Sequence, residues 1–269
     1  MEQGGERAVP EAGSSDVLGL TERRVDFLGA PFTRMTLSEA GAWVTGSCQS
    51  DTFRYLVTPN VDHIVILNEE NGEAWHDFYL GAVVGSDLCV NDSRILGRLA
   101  RLSGKELGLV PGSDLVRYLL TEQAQPPQSI ALIGGKIREQ EWLRSNLPES
   151  DIVHFDPPMG VRQNEAAQIE IAEFVETERA DLVLMAFGAP QSEIVCRLIK
   201  QRGKARGVAL CIGASVEFLS GAQTRAPRIM QVAGLEWLYR LLSDPARLWE
   251  RYLVRGPRVF RLWWKSRNA

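Results

Sequence analysis

The chain of 269 residues predicts an α/β fold: a parallel sheet covered by helices, with a basic, aromatic helical appendage at the C-terminal end. Three observations carry that prediction. Short, continuous apolar runs recur along the chain, each closed by Gly or Pro, which is how strands buried on both faces read. Helix-length stretches separate these runs, the alternation that builds parallel, Rossmann-like sheets. The charge also reverses near the end: residues 225–269 hold ten Lys/Arg, three Asp/Glu and four of the seven tryptophans, although the whole chain carries −4. The tail is therefore basic on an otherwise acidic protein, and such a tail suits an anionic partner such as a phospholipid surface or a phosphate-bearing substrate.

Residues 1–20 are rich in Gly, Glu, Ser and Ala and lack apolar periodicity, so they are expected to be a flexible lead-in. Residues 21–224 are expected to form the Rossmann-like core and 225–269 the appendage. In order, the strand-like runs are Tyr55-Leu-Val-Thr-Pro-Asn60, Ser129-Ile-Ala-Leu-Ile-Gly-Gly135, the shorter Asp151-Ile-Val-His-Phe-Asp156, Asp181-Leu-Val-Leu-Met-Ala-Phe-Gly188 and Val208-Ala-Leu-Cys-Ile-Gly213. The acidic, Ala-rich stretch 164–177 reads as a covering helix. Ligands of open parallel sheets sit beyond the carboxyl ends of the strands. The segments following the runs are therefore candidate binding loops: Thr58-Pro59-Asn60, Gly134-Gly135-Lys136, Gly188-Ala-Pro-Gln-Ser-Glu193 with Pro190 in a first helical turn, and Gly213-Ala-Ser215. In the appendage, Leu235, Leu238 and Leu242 are spaced to share one helical face, and Asp244-Pro245 reads as a cap and first helical residue. Leu248, Trp249, Tyr252 and Leu253 line the next helix, with Arg240, Arg247, Arg251 and Arg255 between them. The pair Trp263-Trp264, set among basic residues, is expected to anchor at a membrane interface.

Several classes are disfavoured. No apolar run approaches the roughly 20 residues of a membrane-spanning helix, and the start lacks the pattern of a signal peptide. The four cysteines form no C-x-x-C pair and the three histidines no ligand spacing, so a reduced, cytoplasmic protein without structural zinc is expected. No strand is followed by G-x-G-x-x-G, which argues against a nicotinamide-dependent dehydrogenase. Nucleic acid fits an acidic protein with a basic aromatic tail less well than membrane does.

The run Arg225-Ala-Pro-Arg-Ile-Met-Gln-Val-Ala-Gly-Leu-Glu-Trp-Leu-Tyr-Arg-Leu-Leu-Ser-Asp-Pro-Ala-Arg-Leu-Trp-Glu-Arg-Tyr252 resembles the C-terminal signature of the WecG/TagA/CpsF glycosyltransferases. Agreement extends upstream through Gly213-Ala-Ser-Val-Glu-Phe-Leu-Ser-Gly221, Gly188-Ala-Pro-Gln-Ser-Glu193, Val110-Pro-Gly-Ser-Asp114 and Thr58-Pro-Asn60, covering roughly residues 25 to 262. The resemblance implies inverting transfer of a sugar from a UDP-sugar to a polyprenyl-diphosphate-linked glycan, without a cofactor or an obligatory metal, during cell-surface polysaccharide synthesis. N-acetylmannosamine, glucose or a uronic acid are the donor sugars considered. It assigns Asp92 as general base and Thr58 and Asn60 to the same pocket. Gly134, Gly135, Gly188, Pro190, Gln191, Ser192 and Glu193 fall to the substrates, and Arg240, Arg247 and Arg251 to diphosphate neutralisation by the appendage. No D-x-D triplet is present to clamp a metal.

Three segments depart from the family's pattern. Asn91-Asp92-Ser93 stands where the family has Pro-Asp-Gly, Ser192 where it has a Gln, and Leu109 where it often has a basic residue, so donor and acceptor choice stays open. A catalytically silent nucleotide-sugar-binding or scaffold subunit is the alternative these departures keep alive. The expected location is the inner face of the plasma membrane, with homo-oligomer formation left open.

Overall fold

The computed structural model describes residues 19–69, 73–123 and 125–268; residues 1–18 of the expected lead-in lie outside the described residues. After a hairpin of β1 (Arg24–Phe27) and β2 (Ala30–Thr33) come β3 (Arg54–Val57), β4 (Leu88–Cys89), β5 (Ser129–Gly134), β6 (Asp151–Phe155), β7 (Leu182–Ala186) and β8 (Val208–Cys211). The last six form one sheet in the order β4-β3-β8-β7-β5-β6, with every pairing parallel. Each of the five apolar runs is one of these strands, and the 164–177 stretch is the helix Glu165–Glu178. This is the Rossmann-like α/β fold.

Alternate residues of the central strands enter different cores. Ala131, Ile133, Val183, Met185, Ala209 and Cys211 face one layer of helices, and Ile130, Leu132, Leu182, Leu184, Val208 and Leu210 the other. Full burial of each large aliphatic side chain contributes roughly 1.5–3 kcal/mol, so continuous apolar runs are required here.

Two elements were not legible in the pattern. The β1–β2 hairpin turns through Leu28 and Gly29 at φ of 50° and 80°, the paired left-handed geometry of a two-residue hairpin loop; Leu28 is an unusual residue for it. β4 is only two residues long, too short to show a period. It is nevertheless the strand that carries the chain to Asp92.

From β5 the chain crosses to β6 on one side, and from β7 to β8 on the other. The crevice at the carboxyl ends of β5 and β7 is therefore a topological switch point.

The appendage comprises helices Arg228–Ala233, Glu236–Ser243 and Pro245–Trp249, a π-helical segment Glu250–Arg255 and the helix Arg258–Arg267. Asp244 caps the third of these, accepting from the Arg247 N–H with Pro245 at the first turn, as its sequence predicts. In Glu236–Ser243 the buried residue is Leu241, whereas Leu235 and Leu242, which the spacing places on one face, are exposed. One expectation is corrected. Trp263 is no free anchor: its indole N–H donates to Leu99 O at 3.0 Å and to Ser103 Oγ at 2.9 Å, and Arg267 lies over its ring. Only Trp264 of the pair is exposed, and the wholly buried Val259 seats the last helix.

Candidate active site

Asp92 follows β4 in a turn that its neighbours build. Asn91 is buried; its amide donates to Gly108 O at 2.9 Å while its Oδ1 accepts from the Ser93 N–H at 2.9 Å. Ser93 then caps the helix Arg94–Leu102, accepting from the Leu96 N–H. The Asp92 N–H donates to Pro59 O at 3.2 Å, which ties this turn to the end of β3. Its carboxylate accepts from the Gly112 N–H at 2.8 Å, at the start of the helix Gly112–Arg117. Glycine permits that approach, since a Cβ there would stand 3.3 Å from Thr58 Oγ1 and 3.4 Å from Ser215 Oγ.

Burial pushes the Asp92 carboxyl up to about 6, against the opposing pull of the Gly112 N–H and of the Arg240 and Arg251 charges. The residue as a whole is only half-buried, and it borders a cavity. A carboxylate poised near 6 is mostly ionised at neutral pH yet basic enough to take a proton, which suits a general base.

The cavity measures about 410 Å3. Its floor comes from the core: Asn60, Asp62, Asp92, Ser93, Pro111 and Asp114. Its roof is the appendage, with Arg225, Glu236, Arg240 and Arg251 supplying charge and Trp237, Tyr252, Leu253, Pro257 and Phe260 supplying apolar surface. Ion pairs fasten roof to floor. Arg225 pairs with Asp114 at 2.6 Å, Arg251 and Arg255 reach Asp62 at 3.2 and 3.3 Å, and Arg258 pairs with Glu69. Arg240 stacks over the Phe218 ring at 4.7 Å and pairs with Glu236 at 3.3 Å. The charge of the roof therefore faces the carboxylates of the floor.

The sequence-predicted residues divide into groups. Asn60, Asp92, Arg240 and Arg251 come together on the cavity. Asn60 also caps the helix Val61–Leu67, accepting from the Asp62 and His63 N–H groups and donating its own N–H to His63 Nδ1. Burial pushes His63 down to about 3, so it is a neutral capping histidine. Thr58 is buried, its hydroxyl donating to Cys211 O at 3.0 Å, and it joins the ends of β3 and β8 behind the cavity wall.

A second group, Gly134, Gly135, Gly188, Pro190, Gln191, Ser192 and Glu193, gathers at the switch point after β5 and β7 and does not line the cavity. There Gly134 packs against Ala186 and Phe187, and Gln191 Oε1 accepts from the Arg162 N–H. Pro190, joined to Ala189 by a cis bond, precedes the helix Gln191–Arg202 rather than entering its first turn. Ser192 and Glu193 are buried; the hydroxyl donates to Glu193 Oε2 at 3.0 Å, and burial pushes the Glu193 carboxyl up to about 7. Arg247 belongs to neither group: it is 62% exposed and pairs with its own helix cap, Asp244. Asp62, Asp114, Arg225 and Trp237 carry no site role in the sequence reading and Tyr252 only a place on a helix, though Asp62 stands two residues after Asn60 and Asp114 closes the Val110-Pro-Gly-Ser-Asp114 segment. Among the described residues, no three His, Cys, Asp or Glu side chains group as a metal site.

Fold and site together define a Rossmann-like α/β protein with a carboxylate and arginines facing one cavity at the strand ends. The model of the glycosyl transferase WecG/TagA/CpsF family matches residues 25–269, nearly the whole chain, and the chain belongs to that family. It is a glycosyltransferase of cell-surface polysaccharide synthesis.

Proposed function

We propose that this glycosyltransferase moves a sugar, with inversion and without a required metal, from a UDP-sugar to a polyprenyl-diphosphate-linked glycan. The observation that carries the reading is Asp92, a carboxylate held near 6 on the wall of a cavity roofed by arginines. An acceptor hydroxyl attacks the anomeric carbon of the donor as its proton passes to Asp92. The new C–O bond forms opposite the breaking bond to phosphate, and UDP departs with the electron pair. Arg240 and Arg251 neutralise diphosphate charge as it develops, Asn60 orients the reacting sugars, and Thr58 supports the pocket from behind. The Gly134, Gly135 and Gly188 loops at the switch point, with Pro190, Gln191, Ser192 and Glu193, form the donor's other contact region.

An acceptor that joins a diphosphate to an apolar chain matches a roof that carries both the arginines Arg240 and Arg251 and the apolar side chains Trp237, Tyr252, Leu253 and Phe260. Trp249, Leu253, Phe260 and Trp264 are exposed on the appendage, beside the exposed Arg247, Arg258 and Lys265. That mixture fits the headgroup region of an anionic membrane, and the protein is read as peripheral at the cytoplasmic face. No described helix is long and apolar enough to cross a membrane.

The test is transfer by purified protein from a panel of UDP-sugars, including N-acetylmannosamine, glucose and a uronic acid, to a short-chain prenyl-diphosphate sugar, followed by mass spectrometry with and without EDTA. Transfer of one sugar in the presence of EDTA supports the reading and names the donor. Folded protein that turns over no pair instead supports the binding or scaffold role.

A further inference from the structure

Arg251 and Arg255 converge on one core carboxylate. Asp62 stands in the first turn of the helix Val61–Leu67, its N–H donating to Asn60 Oδ1 at 3.0 Å, so its position is fixed by the same cap that shapes the cavity floor. Its side chain is 12% exposed, 3.2 Å from Arg251 Nε and 3.3 Å from Arg255 Nη1. Neither approach is an aligned hydrogen bond: Asp62 Oδ1 and the Nε atoms of Arg251 and Arg255 are buried without hydrogen-bond partners. Buried polar atoms are ordinarily satisfied, so three orphans in one cluster call for an explanation. Here charge holds the guanidinium groups in place while donor capacity remains unspent.

Asp62 itself is desolvated, which raises its pKa, and Arg251 and Arg255 oppose that rise against Glu69 and Glu250. Losing the carboxylate would leave two neighbouring cations in a partly dehydrated site with no other carboxylate in ion-pair reach among the described residues. They repel each other, and the π-helical segment Glu250–Arg255 that carries Arg251 would lift.

We propose that Asp62 is a positioning residue for transfer: by attracting Arg251 and Arg255 together it closes the roof and holds Arg251 on the cavity, where its guanidinium meets the diphosphate of a substrate. The inference rests on the transferase reading above and adds a residue to it. Asp62 touches no reacting atom, so its effect passes through Arg251.

The experiment is a double-mutant cycle in the full chain: wild type, Asp62→Asn, Arg251→Gln and the double variant, with kcat and KM for the diphosphate substrates and trypsin cleavage after Arg251 and Arg255. The expected result is a fall of about tenfold or more in kcat/KM for Asp62→Asn, chiefly through KM, as for lost ground-state binding. The double variant should be no worse than the poorer single variant within about threefold, since the two residues act as one unit. Trypsin should cleave the tail of Asp62→Asn faster, and Asp62→Glu, which keeps the charge, should recover part of the loss. Additive losses, or unchanged kinetics in an active Asp62→Asn, would overturn the proposal. If the wild type transfers nothing, the transferase reading fails instead; the trypsin arm still reads the latch, and unchanged protection of the tail in Asp62→Asn, or unchanged cleavage after Arg255 in Arg251→Gln should the first variant not fold, sinks it.

Discussion

Replacing Asp92 by Asn should lower activity and raise stability together. The amide preserves the shape of the carboxylate and can still accept from the Gly112 N–H, so the turn through Asn91 and Ser93 stays intact. What disappears is the base. General-base assistance contributes about 10²–10⁴ in rate, or roughly 3–5 kcal/mol of barrier, so kcat/KM should fall by at least about a hundredfold. With the wild-type carboxyl near 6, kcat/KM should fall about tenfold per pH unit below that value and level off above it; the variant should lack this limb.

Stability moves the other way. A carboxyl raised from 3.8 to about 6 is protonated more readily in the folded state than in the unfolded one. Its cost to the fold is absent below pH 4, grows between pH 4 and 6, and is complete above 6, where it amounts to about 2–3 kcal/mol. The neutral amide escapes that cost, so at pH 8 the variant should melt a few degrees higher, while at pH 4 the two should coincide. Initial rates across pH 5–9 and calorimetry at pH 4 and 8 read both effects. A variant within threefold of wild-type activity would remove Asp92 from the mechanism, and one that melts lower at pH 8 would refute the buried-charge argument.

Other perturbations reach different parts of the fold. Glu193, buried at the switch point and held near 7, costs stability as pH rises from about 4.5 to 7, so Glu193→Gln should flatten thermal stability across that window by about 3 kcal/mol; unchanged pH dependence would contradict it. Asn60→Ala removes the side-chain cap of the helix Val61–Leu67 and should cost about 1–2 kcal/mol in chemical denaturation, besides weakening catalysis. Truncation after Gly221 removes the cavity roof; transfer and liposome flotation should both be lost, and a shortened protein that kept either would separate that property from the appendage.

How much could be read beforehand varied with the kind of signal. Five core strands announced themselves because strands covered on both faces must be apolar throughout. Asp244-Pro245 announced a helix start because caps are local chemistry. Asp92, Asn60 and the tail arginines were reached through family motifs, and the cavity does gather Asn60, Asp92, Arg240 and Arg251. β4 stayed hidden because two residues have no period, and the Leu28-Gly29 turn because a leucine does not advertise a left-handed backbone. The covered side of Glu236–Ser243 was not legible, because helical spacing identifies a stripe without saying which neighbour covers it.

The sequence by itself determined the layer architecture, the basic appendage and the residue types available for chemistry, since these follow from burial periodicity, capping and charge along a contiguous stretch of chain. Only the tertiary structure decided which charges meet. It set Arg251 and Arg255 against Asp62 and Arg225 against Asp114, left Arg247 outside the cavity, and turned Trp263 onto Leu99 and Ser103. These pairings join segments of chain more than a hundred residues apart. No local pattern encodes such a partner, because it is chosen by how the packed sheet and its helices bring distant surfaces within ion-pair reach.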